Sequence, residues 1–270
     1  MEQALSPTLD LTEPLQRMGK ALTRWKAAAI HLGICALIAL AVFACMGLLW
    51  YPPPYFEAVG GTKLALTIIG VDVVIGPLIT LVIYNPKKKS LRFDLAVVAL
   101  LQMGALLYGI HVVYTARPVY VVFNVDRFDV VGANEFFPDD WQALAPDAFK
   151  TLPLTGPRLV AADRPSDPKE QERLLFTAVM SGVDLSNFPQ YFVPYHDRTA
   201  AVIAKSQPLA KLREKRPGSE AELTRVVETF GQGSDHLAFL PVRARKEDLT
   251  AIIDGRNGNV VKVLPIDPWL

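Results

Sequence analysis

Cysteine is nearly absent from this chain: its 270 residues hold two, Cys35 and Cys45, both inside one apolar run. No disulfide framework and no cysteine-based zinc site can be built outside that run, so any soluble portion stands on its hydrophobic core. Net charge is nearly absent too, with 28 Lys and Arg against 27 Asp and Glu. That balance removes the electrostatic footprint nucleic-acid binding requires, and no nucleic-acid partner is expected. Histidine occurs at positions 31, 111, 196 and 236, in no H-E-x-x-H arrangement. A G-x-S-x-G elbow, a P-loop and a dinucleotide fingerprint are all missing. Asp139-Asp140 and Tyr195-His196-Asp197 come nearest to a catalytic grouping, but adjacent side chains in a turn diverge. The expectation is a protein that works by contact: no enzyme, no catalytic residue, no cofactor and no metal.

What the chain has in excess is apolar length. Residues 27–50 run without a charge, broken only by His31; residues 64–84 form a second run with one carboxylate, Asp72; residues 95–116 form a third, with Gln102 and His111 as its polar members. Twenty-four residues at 1.5 Å each give about 36 Å of helix, enough to cross a hydrocarbon core of about 30 Å with tilt. Three such runs in succession predict three transmembrane helices in contact with membrane lipid. Arg17, Lys20, Arg24 and Lys26 precede the first run, and Lys87, Lys88, Lys89 and Arg92 separate the second from the third. The loop between the first two carries only Lys63. By the positive-inside rule the N-terminus is cytoplasmic and everything after residue 116 lies outside. Trp25, Trp50, Tyr51, Tyr84 and Tyr114 stand at the run ends, as interfacial aromatics do. The first run is too long for a signal-peptide core, so it is expected to stay; Met18 would serve equally well as a start.

Asp72 is the sharpest single feature. A carboxyl mid-span costs about 2.5–3.5 kcal/mol to insert, so it should face protein or water. Ala65, Asp72, Gly76 and Thr80 fall on one small-sided helical stripe suited to close helix contact. Pro77 cannot donate to the carbonyl of Val73, which predicts a kink there. Asp72 can meet either the His111 face or the Gln102 face of the third helix, not both. Three roles stay open for it: an interhelical hydrogen bond that fixes packing, contact with another protein's membrane helix, and proton relay. His31 is placed to reach Asp94.

From residue 117 the composition becomes that of a soluble domain. The sequence predicts a buried strand over 118–125 with continuation over 128–131, an irregular Pro-rich stretch over 139–166, and a helix over 167–181 capped by Asp167 and Pro168. Leu174, Leu175, Ala178 and Val179 are expected to supply that helix's apolar face. Further expectations are an interrupted helix over 197–212, a helix over 219–230 with Gly231 as its stop, and strands over 237–243, 249–254 and 260–264. The division expected is a poorly ordered polar tail over 1–23, a three-helix membrane module over 24–116, and an α+β extracytoplasmic domain with an antiparallel sheet over 117–270.

About 100 residues, in order, resemble the TfpX/TfpZ family of type IV pilin accessory proteins. The resemblance rests on Arg24-Trp-Lys-Ala-Ala-Ala-Ile-His31, Trp50-Tyr-Pro-Pro-Pro-Tyr-Phe56, Gly70-Val-Asp-Val-Val-Ile-Gly-Pro-Leu78, Asn85-Pro-Lys-Lys-Lys-Ser-Leu-Arg-Phe-Asp94 and Arg117-Pro-Val-Tyr-Val-Val-Phe123. It implies a multi-pass protein of the bacterial inner membrane, its C-terminal domain periplasmic, that promotes assembly of a cognate major type IV pilin in a chaperone-like way. It transfers no catalytic residue. The residues expected to matter are Asp72, Gly76, Pro77, Thr80, Gln102 and His111, for packing or partner contact. The competing readings are a membrane-anchored enzyme or transport component using Asp72, and an envelope-sensing module; oligomeric state is not readable.

Overall fold

The computed structural model describes residues 22–230 and 236–269. Most of the N-terminal tail and the expected helix stop at Gly231 therefore lie outside the described residues. Helix α1, Arg24–Trp50, is followed by a single turn, α2, Tyr55–Ala58; α3 spans Gly61–Ile83 and α4 Leu91–Ala116. Helices α1, α3 and α4 are long and apolar enough to cross a membrane. Their outward side chains are apolar as well: Leu37 is 69% exposed, Val82 80% and Leu100 73%. Such surfaces are compatible with a membrane protein, because lipid covers them at no hydrophobic cost.

Proline shapes both wide turns in these helices. The last turn of α1, Met46–Trp50, is π-helical, and Tyr51, ahead of Pro52, leaves helical geometry at φ −126°, ψ 62°, because a proline ring disfavours the α conformation in the residue before it. In α3 the turn Gly70–Ile75 is also π-helical and directly precedes Gly76-Pro77. A ring that neither donates to Val73 nor fits a regular turn is accommodated by widening the helix.

The chain forms two compact units, one joining Met1–Ala39 to Ile68–Leu106, the other joining Leu40–Thr67 to Leu107–Leu270. The second unit is built on a sheet. Its elements are β1 (Pro118–Asn124), β2 (Arg127–Gly132), α5 (Trp141–Leu144), β3 (Arg158–Ala162), α6 (Pro168–Ser181), β4 (Phe192–Pro194), α7 (Thr199–Lys205), β5 (Gln207–Pro208), α8 (Leu209–Lys215), α9 (Glu220–Phe230), β6 (Leu237–Arg243), β7 (Leu249–Asp254) and β8 (Val260–Leu264). Among the described residues the strand order is β4-β3-β1-β2-β6-β7-β8, with β5 beside β6.

The sheet is mixed, which corrects the expected antiparallel one: β1 runs parallel to β3, and β2 parallel to β6. Hairpins join β1 to β2 and β7 to β8 antiparallel. Residues 133–157 instead cross over between β2 and β3, and four helices intervene before β6, so both strands can return in the parallel sense. Strand β3 itself sits in the stretch expected to be irregular. Around it Pro153, Pro157 and Pro165 obscure the five-residue run Arg158–Ala162.

Period-two alternation sorts β1 onto two cores. Tyr120 and Val122 pack with Phe136, Trp141, Phe149 and Phe192 on one face, whereas Val121 and Phe123 pack with Phe128, Leu240, Val242 and Ile253 on the other. All seven residues of β1 are buried, which is why it reads as a continuous apolar run. A third cluster gathers Leu212, Leu223, Phe239, Ile252 and Leu264.

An ionic network crosses the parallel join of β2 and β6, where Asp129 pairs in register with Arg243. Asp129, 3% exposed, accepts from Asn124 Nδ2 at 2.8 Å, Arg127 Nε at 3.2 Å and Arg243 Nε at 2.9 Å. Both arginines also reach Asp184, at 2.7 and 3.1 Å. Burial alone would raise the Asp184 carboxyl, but the Leu185 amide, Asn124 and the two guanidinium groups together hold it below the usual carboxylate range. Asp254, hydrogen-bonded by the Arg256 side chain, is lowered to about 2. Both groups bind protons less readily folded than unfolded, so their stabilisation is complete above about pH 4 and lost as pH falls through the folded values. Denaturant unfolding of the detergent-solubilised chain should accordingly be flat from pH 5 to 7 and fall steeply below pH 4. Asp184→Asn should shrink that acid-dependent part.

Candidate functional site

The polar residues of the first unit meet along one face of α3. Asp72, Gly76, Pro77 and Thr80 are its buried residues in that unit. Gln102 of α4 lies against Gly76: a Cβ built there would come within 1.9 Å of the Gln102 Nε2 atom. That amide nitrogen donates to the Asp72 carbonyl at 3.3 Å and approaches Cys35 Sγ of α1 at 3.8 Å. The three helices thus meet at one side-chain amide, and the widened turn of α3 offers it a backbone acceptor. Glycine is needed at 76 because no side chain fits between the two helices.

Asp72 therefore sits on the Gln102 side. Its own carboxylate makes no such bond: Asp72 Oδ1 and Gln102 Oε1 are buried without a hydrogen-bond donor among the described residues. His111 is exposed on α4, and its carbonyl accepts from Thr115 Oγ1 at 2.9 Å. His31 does not reach Asp94. Its Nδ1 lies 2.6 Å from Thr80 Oγ1, while Asp94 is held by Lys88 at 2.5 Å. A cavity of about 280 Å³ opens beside this pair, walled by Ile30, Ile34, Tyr84, Leu95 and Val98. Among the described residues no three His, Cys, Asp or Glu side chains are grouped to hold a metal ion. Among the described residues the His196 side chain is ion-paired only with its neighbour Asp197, at 3.2 Å, His196 being largely and Asp197 about half exposed. The contacts these groups make are hydrogen bonds and packing between α1, α3 and α4.

The second unit holds a feature that sequence reasoning passed over as a connector. The stretch 51–60 is packed onto the sheet domain, with Tyr51, Ala58 and Val59 buried. Tyr51 is 0% exposed, and its hydroxyl donates to the Val113 carbonyl of α4 at 2.6 Å. The Gly156 amide donates to the Leu49 carbonyl at 2.7 Å. The amides of Lys246 and Glu247 donate to the Ala58 carbonyl at 2.9 and 3.2 Å, and Ala58 and Tyr55 belong to the Phe128–Leu240 core cluster. Trp50 meets Tyr114 edge-on at 5.4 Å, and Arg117 lies 3.8 Å over the Tyr114 ring. Burial pushes the Tyr51 phenol up, and that of Tyr55 up to about 12, so both stay neutral. The signal was present in the sequence: four aromatics and three prolines in the seven residues Trp50–Phe56 are far more than a solvated loop uses.

Gly76→Ala should displace the Gln102 amide and destabilise the chain in detergent by about 1–3 kcal/mol. Because the two residues share one contact, Gly76→Ala with Gln102→Ala should cost clearly less than the sum of the singles. Tyr51→Phe, which strands the Val113 carbonyl, should cost about 1–2 kcal/mol in the same unfolding assay.

A family profile described as Fimbrial assembly protein FimB matches residues 20–60, which include the aromatic-proline stretch. The chain is 27% identical over 247 residues to the fimbrial assembly protein of serogroup E1 of Dichelobacter nodosus, covering 90% of this chain and 95% of that protein. It is likewise 27% identical over 250 residues to the serogroup I protein of the same organism, with coverages of 90% and 95%. To the fimbrial assembly protein of serogroups C1 and C2 it is 33% identical over 117 residues, 43% of this chain and 89% of that protein. No solved structure matches. With a third of its residues shared over nearly the whole of that last relative, the chain belongs to the fimbrial assembly protein family.

Proposed function

We propose that this protein is a non-enzymatic accessory factor of the bacterial inner membrane, of the TfpX/TfpZ kind, that assists assembly of a type IV pilin into surface pili. The observation that carries the reading is the likeness, along nine-tenths of the chain, to proteins named for fimbrial assembly. In this reading α1, α3 and α4 span the bilayer. Lys87, Lys88, Lys89 and Arg92 mark the cytoplasmic side, and the sheet domain faces the periplasm. The partner is the major pilin, met both within the bilayer and outside it.

The buried contacts around Gln102 favour packing as the part played by Asp72, Gly76 and Thr80. A partner's helix is then met by the outward apolar faces of α1, α3 and α4. The stretch 51–60 supports a contact surface outside the bilayer as well, because within the second unit it ties the adjoining ends of α1, α3 and α4 to the sheet.

Deleting the gene should lower surface pili at least tenfold while pilin still accumulates in the membrane, scored by shearing and immunoblot. Asp72→Asn should restore assembly to near the wild-type level, as a packing role allows. Unchanged piliation in the deletion strain would sink the proposal. Failure of Asp72→Asn alone, with the protein present at its normal level, would move the function to proton transfer at that carboxyl.

A further inference from the structure

Helix α6 is well made and badly buried. Asp167 caps its first turn, accepting from the Lys169 amide at 3.1 Å, Pro168 sets its entry, and Gly182 closes it in the left-handed conformation at φ 69°. Yet none of its 14 residues is buried. The side turned to the sheet carries Glu170, Leu174, Thr177 and Ala178, all only partly covered. The side turned outward carries Leu175, Phe176, Val179 and Met180, exposed by 67%, 67%, 75% and 69%. The apolar face expected from spacing is therefore split, and its bulkier half points away from the domain. Helices in proteins draw most of their stability from burying such a face. At these exposures the four side chains present on the order of 500 Å² of apolar surface, near the upper end of what a monomer leaves bare. A groove of about 460 Å³ runs alongside, floored by Leu174, Ala178 and Leu185 and bordered by Arg164, Glu172 and Asp184.

Such a face can be covered by lipid, by a second copy or by another protein. Lipid is the first. Strand β1 leads from the end of α4 to Asn124, about 20 Å of extended chain, and Asn124 lines the same groove as Pro168 and Leu174. The groove is thus met about 20 Å along extended chain from the last turn of α4. The helix's opening turns also carry Glu170 and Glu172 against Lys169 and Arg173, without the basic excess of a membrane-surface helix. A second copy is next. A stable two-fold dimer buries about 800 Å² on each partner, more than this ridge supplies. What fits is a partner gripped briefly: a protein surface with an apolar stripe of its own, and charges of both signs at its border to set register.

We propose that the outward face of α6, with the adjoining groove, is the surface on which this protein holds the extracytoplasmic head of the fimbrial subunit before release into the fibre. The proposal rests on the assembly role argued above. A ridge of this size holds an apolar patch of the subunit out of water without holding it permanently, which is what handing a subunit on requires.

The test uses the full-length chain in its own membrane, with a photoreactive residue at Phe176 and, as control, at exposed Lys211 of α8. An adduct to the fimbrial subunit from position 176 and none from 211 is expected. Phe176→Glu with Met180→Glu should lower surface fimbriae at least tenfold, leaving the protein's abundance and unfolding midpoint unchanged. Adducts from 176 only to a second copy or to lipid would overturn the proposal, as would wild-type fimbriation of the double variant. If that variant assembles fimbriae normally while gene deletion abolishes them, the assembly role stands and this surface is wrong. If deletion has no effect, the role itself falls.

Discussion

Everything in the second unit depends on how Tyr51 is enclosed. A phenol taken wholly out of water must find an acceptor, and it finds the Val113 carbonyl in the last turns of α4. That one bond, with the Gly156–Leu49 and Lys246–Ala58 backbone contacts around it, turns a ten-residue connector into part of a folded domain. Prolines 52 to 54 lower the entropy lost when the stretch is ordered, and each removes a backbone donor that would otherwise need satisfying. Leu40–Thr67 accordingly joins Leu107–Leu270 in one compact unit.

The sheet is organised around β1, which leaves α4 almost without a linker and is apolar on both faces. A strand entered directly from a helix has little freedom of direction, so its neighbours are fitted to it: β2 by a tight hairpin, β3 by a long crossover. The parallel join of β2 to β6 has only two residue pairs in register. Asp129, Arg127, Arg243 and Asp184 reinforce it with charge, and each charge is compensated so that their partial burial is tolerated. An apolar join of similar size would be less particular about register. The ionic one admits a single alignment.

In the first unit a single amide does the corresponding job. Gln102 reaches the Asp72 carbonyl and Cys35 across the notch left by Gly76. His31 and Thr80 close a second contact on the same face. Between apolar helices in lipid, close approach at small residues and a few polar contacts supply the specificity that a hydrophobic effect cannot. In the second unit α6 leaves Leu175, Phe176, Val179 and Met180 uncovered.

Much of this was legible in the residues. Unbroken apolar length determined the three long helices, because helix geometry converts residue count directly into span. Local chemistry determined the start of α6, through Asp167 and Pro168, and the β7–β8 hairpin, through its Gly-rich turn. The stripe of Asp72, Gly76 and Thr80 was also readable from helical spacing alone. Sequence could not decide which polar residue of α4 Asp72 would face, since that depends on the rotation of one helix against another. Nor could it settle the parallel strands, which depend on where a 25-residue crossover returns. The packing of 51–60 needed Val113, Gly156 and Lys246 to come together across long separations in the chain. The outward turn of Phe176 and Met180 had the same origin, because periodicity marks which residues share a helix face and only packing decides which face is buried.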